Sequence, residues 1–118
     1  MQKIMVVDDA QFMRVRLSKL LTGHGFEVVE AENGEQAVQV YQSTQPDAVL
    51  MDITMPQKDG LEALTEIRGF DPKARIIMLT ALGQESMVVQ AVQAGAKDYI
   101  IKPFDPDRVL AAVQKALG

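Results

Sequence analysis

The sequence predicts an α/β fold: a doubly wound, five-stranded parallel sheet with strand order 2-1-3-4-5. Three observations lead there. Short apolar runs alternate five times with segments of helical periodicity. Most of these runs are nearly continuous in apolar residues, as strands covered by helices on both faces are. The run 26–30, Phe-Glu-Val-Val-Glu, is more polar, as an edge strand is. Right-handed crossovers and a polar second strand then favour the order 2-1-3-4-5.

Residues 4–7 form the first strand, and Ala10, Met13, Leu17, Leu20 and Leu21 follow at helical spacing until Gly23-His24-Gly25 ends the helix. After the edge strand, Asn33-Gly34 opens a helix carrying Ala37, Val38 and Tyr41, which Gln45-Pro46-Asp47 closes. Residues 48–51 are a fully apolar strand, and the helix after Pro56 and Gly60 carries Leu61, Leu64 and Ile67. Asp71-Pro72 turns the chain into the strand 76–79. A helix over 83–94 ends at Gly95, a left-handed cap. The strand 98–101 and a helix over 106–117, with Val109, Leu110, Val113 and Leu117 inward, complete the pattern. Met5, Met51 and Met78 lie inside strands and read as core filler.

A chain of 118 residues makes one domain, residues 1–118, and hides roughly 65% of the surface its unfolded form exposes. It therefore needs no disulfide or structural metal, and it has no cysteine, which fits a reducing compartment. No signal-peptide layout and no membrane-length apolar run is present, so the expected location is the cytoplasm. A net charge of −4 with scattered Lys and Arg argues against nucleic-acid binding.

The informative residues stand at strand ends. Val7-Asp8-Asp9, Met51-Asp52-Ile53-Thr54-Met55-Pro56, Leu79-Thr80-Ala81 and Ile101-Lys102-Pro103-Phe104 each begin apolar and end polar. In a parallel sheet these ends share one edge, where ligands bind near the point at which strand order reverses. One aspartate there is as well explained by helix capping. Three carboxylates together repel and lose hydration, so they call for a cation. Ligands that are all oxygen suit Mg²⁺, Mn²⁺ or Ca²⁺ rather than zinc. With the Thr80 hydroxyl and the Lys102 ammonium, the set can hold Mg²⁺ and accept a phosphoryl group.

These motifs, with Asp59-Gly60 after MDITMP and the stretch AGAKDYIIKPF, resemble the receiver domain of two-component response regulators, and especially stand-alone chemotaxis regulators of the CheY type. The resemblance spans essentially the whole chain and implies the flavodoxin-like (βα)5 fold. It implies that Asp52 is the phosphoacceptor and that Asp9, Asp52 and the Thr54 backbone oxygen bind Mg²⁺ (or Mn²⁺), with Asp8 acting through a metal-bound water. Thr80 would bond a phosphoryl oxygen and Lys102 would pair with the phosphoryl group or Asp52. Lys102-Pro103 would be a cis peptide, and Tyr99 would be the switch aromatic. The implied partners are a histidine kinase as phosphodonor, a flagellar motor switch protein or another target on the face formed by residues 83–94, Tyr99 and 106–117, and a phosphatase. The protein would be a monomeric phosphoacceptor signalling protein rather than an enzyme, with slow self-catalysed phosphoryl uptake and hydrolysis.

Two positions depart from the common chemotaxis pattern: Thr54 replaces an Asn and Leu82 replaces an acid. Neither offers much polar guidance to a hydrolytic water, so a long-lived phosphoryl group is expected. Alternative readings are a phosphorelay intermediate that passes phosphate to a histidine phosphotransfer protein, a flavodoxin-like cofactor binder, and an aspartyl-phosphate phosphatase of haloacid-dehalogenase type. The second would place a Ser/Thr/Gly phosphate loop where Asp8-Asp9 stand. The third would need an acid at Thr54. His24, between two glycines, reads as a loop residue rather than a phosphohistidine, and Gly23-His24-Gly25 lacks the third glycine of a dinucleotide loop.

Overall fold

A computed structural model describes all of residues 1–118. The elements run β1 (Lys3–Val7), α1 (Gln11–Thr22), β2 (Glu27–Ala31), α2 (Gly34–Thr44), β3 (Ala48–Asp52), α3 (Gly60–Phe70), β4 (Ile76–Thr80), α4 (Glu85–Gln93), β5 (Asp98–Ile101) and α5 (Pro106–Leu117). All strand pairs are parallel, and the sheet order is β2-β1-β3-β4-β5, as the sequence predicts.

Side chains alternate across a strand, so each strand serves both faces. Met5, Val7, Val49, Met51, Ile76 and Met78 pack on one side with residues of α2, α3 and α4, among them Ala37, Tyr41, Leu64, Ile67 and Ala91. Ile4, Val6, Leu50, Ile77, Leu79 and Ile100 pack on the other with Leu17 and Leu21 of α1 and Val109, Ala112 and Val113 of α5. The three expected strand methionines are fully buried. Both faces of the central strands are covered, which explains their unbroken apolar runs. No helix is long and apolar enough to cross a membrane.

The differences from expectation are local. The second strand begins one residue later than the polar run, because the Phe26 amide bonds the Leu21 carbonyl and stays with the end of α1. The fourth helix begins at Glu85 rather than residue 83: Gly83 has φ +92°, outside the helical region, and Gln84 is the cap residue. On α5, Ala112 is buried with Val109 and Val113, whereas Leu110 and Leu117 are half-buried at the margin of the core.

Two close approaches shape the edge that carries the polar strand ends. The Gly60 amide bonds the Ile53 carbonyl at 2.7 Å, and a Cβ on Gly60 would come within 2.0 Å of the Asp52 carbonyl oxygen. Only glycine lets α3 start so near the end of β3. Asp59 caps that start reciprocally with Glu62.

Candidate functional site

At the carboxyl ends of β1 and β3, carboxylate oxygens of Asp8, Asp9 and Asp52 all lie within 4.8 Å of one another. The sheet register makes this inevitable once the strands pair: Val7 stands opposite Met51, so the next residues of both strands emerge together. Asp8 is 1% exposed and Asp52 is also buried, whereas Asp9 faces solvent. The sequence-predicted trio is therefore one cluster, with a buried floor and one open acid at its rim.

Asp8 is held from four directions. Its amide bonds the Ala31 carbonyl at 3.2 Å, and one carboxylate oxygen accepts the Ala10 amide at 2.9 Å. The other oxygen lies 3.2 Å from Lys102 Nζ, and the Asp8 carbonyl accepts from Arg14 at 2.7 Å. Arg14 is itself fixed by Glu30 at 3.2 Å. Sequence reading missed this anchoring role, because an arginine on a helix facing an acidic edge strand looks like an ordinary surface ion pair.

Lys102 reaches the cluster as expected. Its ammonium is 3.2 Å from Asp8 and 3.3 Å from Asp52, and its side chain is 24% exposed. The Lys102 amide bonds the Thr80 carbonyl at 2.7 Å, which extends the β4–β5 ladder to the edge of the site, and Lys102-Pro103 is cis. Burial pushes the Asp52 carboxyl above its ordinary range; Lys102 pulls it back, and Asp8 adds to the rise. The three acids thus carry more negative charge than one lysine offsets.

Whether this cluster fits a divalent cation is decided by its donors. It presents oxygens alone, from three acids converging within reach of one ion, with one acid at the open rim as an entry point. That donor set suits a hard cation, as expected.

Thr80 and Thr54 flank the acids. Thr80 is 1% exposed, and its hydroxyl donates to Gln84 Oε1 at 3.0 Å. The same Gln84 oxygen accepts the Ala81 amide at 2.7 Å, and Gln84 Nε2 donates to the Thr54 hydroxyl. Gln84, like Arg14, is a polar group at this site that the sequence reading did not single out. Glutamine before a helix is too common to signal anything, and its partner Thr54 lies thirty residues away. Leu82 projects outward, 77% exposed, into a groove of about 220 Å³ that it lines with Thr80, Gln84, Val88, Tyr99 and Ile101. Tyr99, 40% exposed, stands at that groove. His24 lies far along the chain in an exposed loop, its ring bonded to the Leu20 carbonyl.

The receiver-domain profile of response regulators matches residues 4–114. The chain belongs to that family. It is 59% identical to the chemotaxis protein CheY of Bacillus subtilis over 98% of each chain, which makes it a receiver of the CheY type. The fold agrees with solved structures. A receiver domain protein from Clostridium thermocellum superposes with TM-score 0.95 at 28% identity, over 99% of this chain and 94% of that one. A CheX–CheY–BeF₃–Mg²⁺ complex from Borrelia burgdorferi gives TM-score 0.93 at 38% identity, over 99% and 90%. The receiver is a two-component signalling protein, and its aspartate cluster suits phosphorylation and metal binding.

Proposed function

We propose that this receiver, residues 1–118 as one domain, takes a phosphoryl group from a histidine kinase onto Asp52 in the presence of Mg²⁺ and thereby changes its affinity for a target. The observation that carries the reading is the convergence of three carboxylates within 4.8 Å, two of them contacted by Lys102. An Asp52 carboxylate oxygen attacks the phosphorus in line; the new O–P bond forms as the P–N bond of phosphohistidine breaks, and the imidazole leaves with the electron pair. Asp9, Asp52 and the Thr54 backbone oxygen would hold Mg²⁺, with Asp8 acting through a bound water. When bound, Mg²⁺ supplies positive charge that offsets the repulsion between nucleophile and phosphoryl group.

The chain's own residues do the rest. Lys102 keeps its ammonium beside Asp52, where the transferred oxygens arrive, and Arg14 holds the loop that bears Asp8 and Asp9. Thr80 offers a hydroxyl to a phosphoryl oxygen, and its movement alters the groove in which Tyr99 stands. The output face is α4, β5 and α5, and the name chemotaxis protein, shared by relatives, favours chemotaxis; the resemblance adds a flagellar motor switch protein as target and the cytoplasm as its place of action. A phosphatase is the further partner that the family resemblance implies, and the Borrelia relative is named in a complex with a second protein, CheX.

Incubation with acetyl phosphate and Mg²⁺, followed by intact mass, tests the chemistry. The mass rises by one phosphoryl group in the wild type and is unchanged in Asp52→Asn. A phosphorylated Asp52→Asn protein would move the acceptor elsewhere.

A further inference from the structure

We infer that Gln84 is an internal occupant of the phosphoryl-binding donors, a clasp that holds the resting state and opposes phosphoryl uptake. The inference rests on the phosphoacceptor reading of Asp52. Gln84 sits at the cap position of α4, yet its side chain makes no bond to the amides of that helix. Glutamine is too long for the usual capping bond, which Ser, Thr, Asp and Asn make. The positive φ of Gly83 turns the chain, and the Gln84 carboxamide folds back over the end of β4 instead.

There one oxygen takes two donors, the Thr80 hydroxyl at 3.0 Å and the Ala81 amide at 2.7 Å. A hydroxyl and a backbone amide converging on a single oxygen form the cradle that stabilises an oxyanion. In the resting protein the carboxamide oxygen fills it. The hydroxyl has one proton, and the only other nearby acceptor is the Ala81 carbonyl at 3.3 Å. Thr80 therefore cannot serve a phosphoryl oxygen without leaving Gln84. The phosphoryl oxygen, being charged, is the stronger acceptor and displaces the carboxamide.

The displacement is coupled to the output face. Gln84 Nε2 ties the clasp across the site to Thr54, and the Gln84 carbonyl accepts the Val88 amide of the first α4 turn at 3.0 Å. Gln84 also lines the groove with Leu82, Val88 and Tyr99. Release of one side chain thus frees Thr80, unties the loop after β3 from the loop after β4 at the mouth of the site, and loosens the start of α4. Asp52, Lys102 and the acid cluster take no part in the clasp, so its removal leaves the acceptor chemistry intact.

The test is titration of the full chain with beryllofluoride and Mg²⁺, followed through backbone amide resonances, for wild type, Gln84→Ala, Thr80→Val, the double variant of these two, and Asp52→Asn as control. Loss of one net hydrogen bond from the resting state predicts about five- to tenfold tighter binding in Gln84→Ala. The gain shrinks toward unity in the Thr80→Val background, because one of the contested donors is gone. In the free protein, the Ala81 amide of Gln84→Ala exchanges with solvent faster than in the wild type. Equal or weaker beryllofluoride binding by Gln84→Ala, or unchanged Ala81 exchange, overturns the clasp. A wild type whose titration is indistinguishable from that of Asp52→Asn overturns instead the phosphoacceptor reading beneath it.

Discussion

Replacing Asp52 with Asn should stabilise the metal-free protein, and the size of the effect follows from the cluster. Carboxylate oxygens of Asp8 and Asp9 lie within 4.8 Å of Asp52. At an effective dielectric of about 20, each such like-charge pair costs about 3.5 kcal/mol. Lys102, 3.3 Å from Asp52, returns about 5 kcal/mol on the same scale. Asparagine removes two repulsions and one attraction, a balance of about 2 kcal/mol in its favour, and its carbonyl oxygen still accepts from Lys102. Solvent screens the contribution of exposed Asp9, while relief of carboxylate desolvation adds to the gain, so about 1–2 kcal/mol is expected.

Urea denaturation at neutral pH in a chelator reads this as a higher midpoint, by about 0.5–1 M. The gain is pH-dependent. Burial raises the Asp52 carboxyl in the folded state, so the wild-type penalty is fully present above that raised value and disappears below the unfolded value of about 3.9. With Mg²⁺ at a hundredfold excess over its dissociation constant, the wild type gains about 2.7 kcal/mol. The Asn variant, short of one carboxylate, gains less, and the order reverses. An Asn variant less stable than wild type in chelator at neutral pH refutes the reasoning.

Three further outcomes are expected. Asp9→Ala should weaken Mg²⁺ binding at least tenfold, whereas Lys102→Ala should leave it equal or tighter, since the ammonium competes for Asp8 and Asp52; amide shift titrations without phosphate measure both. Tyr99→Ala should phosphorylate at the wild-type rate yet bind its target more weakly, as a pull-down with phosphorylated protein reads, because Tyr99 lines the groove and touches none of the acids. Leu82→Glu with Thr54→Asn should speed loss of the phosphoryl group about tenfold, a barrier change of about 1.4 kcal/mol, by adding polar groups that align water; unchanged decay of intact mass in the double variant counts against it.

What was legible in the sequence and what was not divide along a physical line. Asp8, Asp9, Asp52, Thr80 and Lys102 each end or follow an apolar strand, and parallel pairing carries strand ends to one edge whatever the details of packing. Their convergence needs only the register of adjacent strands. The roles of Arg14 and Gln84 depend on where flexible side chains settle after the loops have formed. Arg14 reaches the Asp8 carbonyl across the first turn of α1, and Gln84 reaches Thr54 across the gap between two loops. Neither distance is written in local spacing. The start of α4 was missed for a related reason: a glycine with positive φ looks the same in sequence as one that opens a helix.

The donors of the resting site are already occupied. Lys102 already joins Asp8 and Asp52, Gln84 already fills the Thr80 and Ala81 donors, and no buried side-chain nitrogen or oxygen lacks a partner. On the proposed phosphoacceptor reading, a phosphoryl group entering here exchanges hydrogen bonds at Lys102 and Thr80 more than it adds them. The net preference for the switched state is then a difference between similar terms, and small changes at the exchanged contacts move populations widely. Had Thr80 been unpartnered in the resting protein, its buried hydroxyl would itself have destabilised that state. Retaining Gln84 avoids this and keeps the two states close in energy.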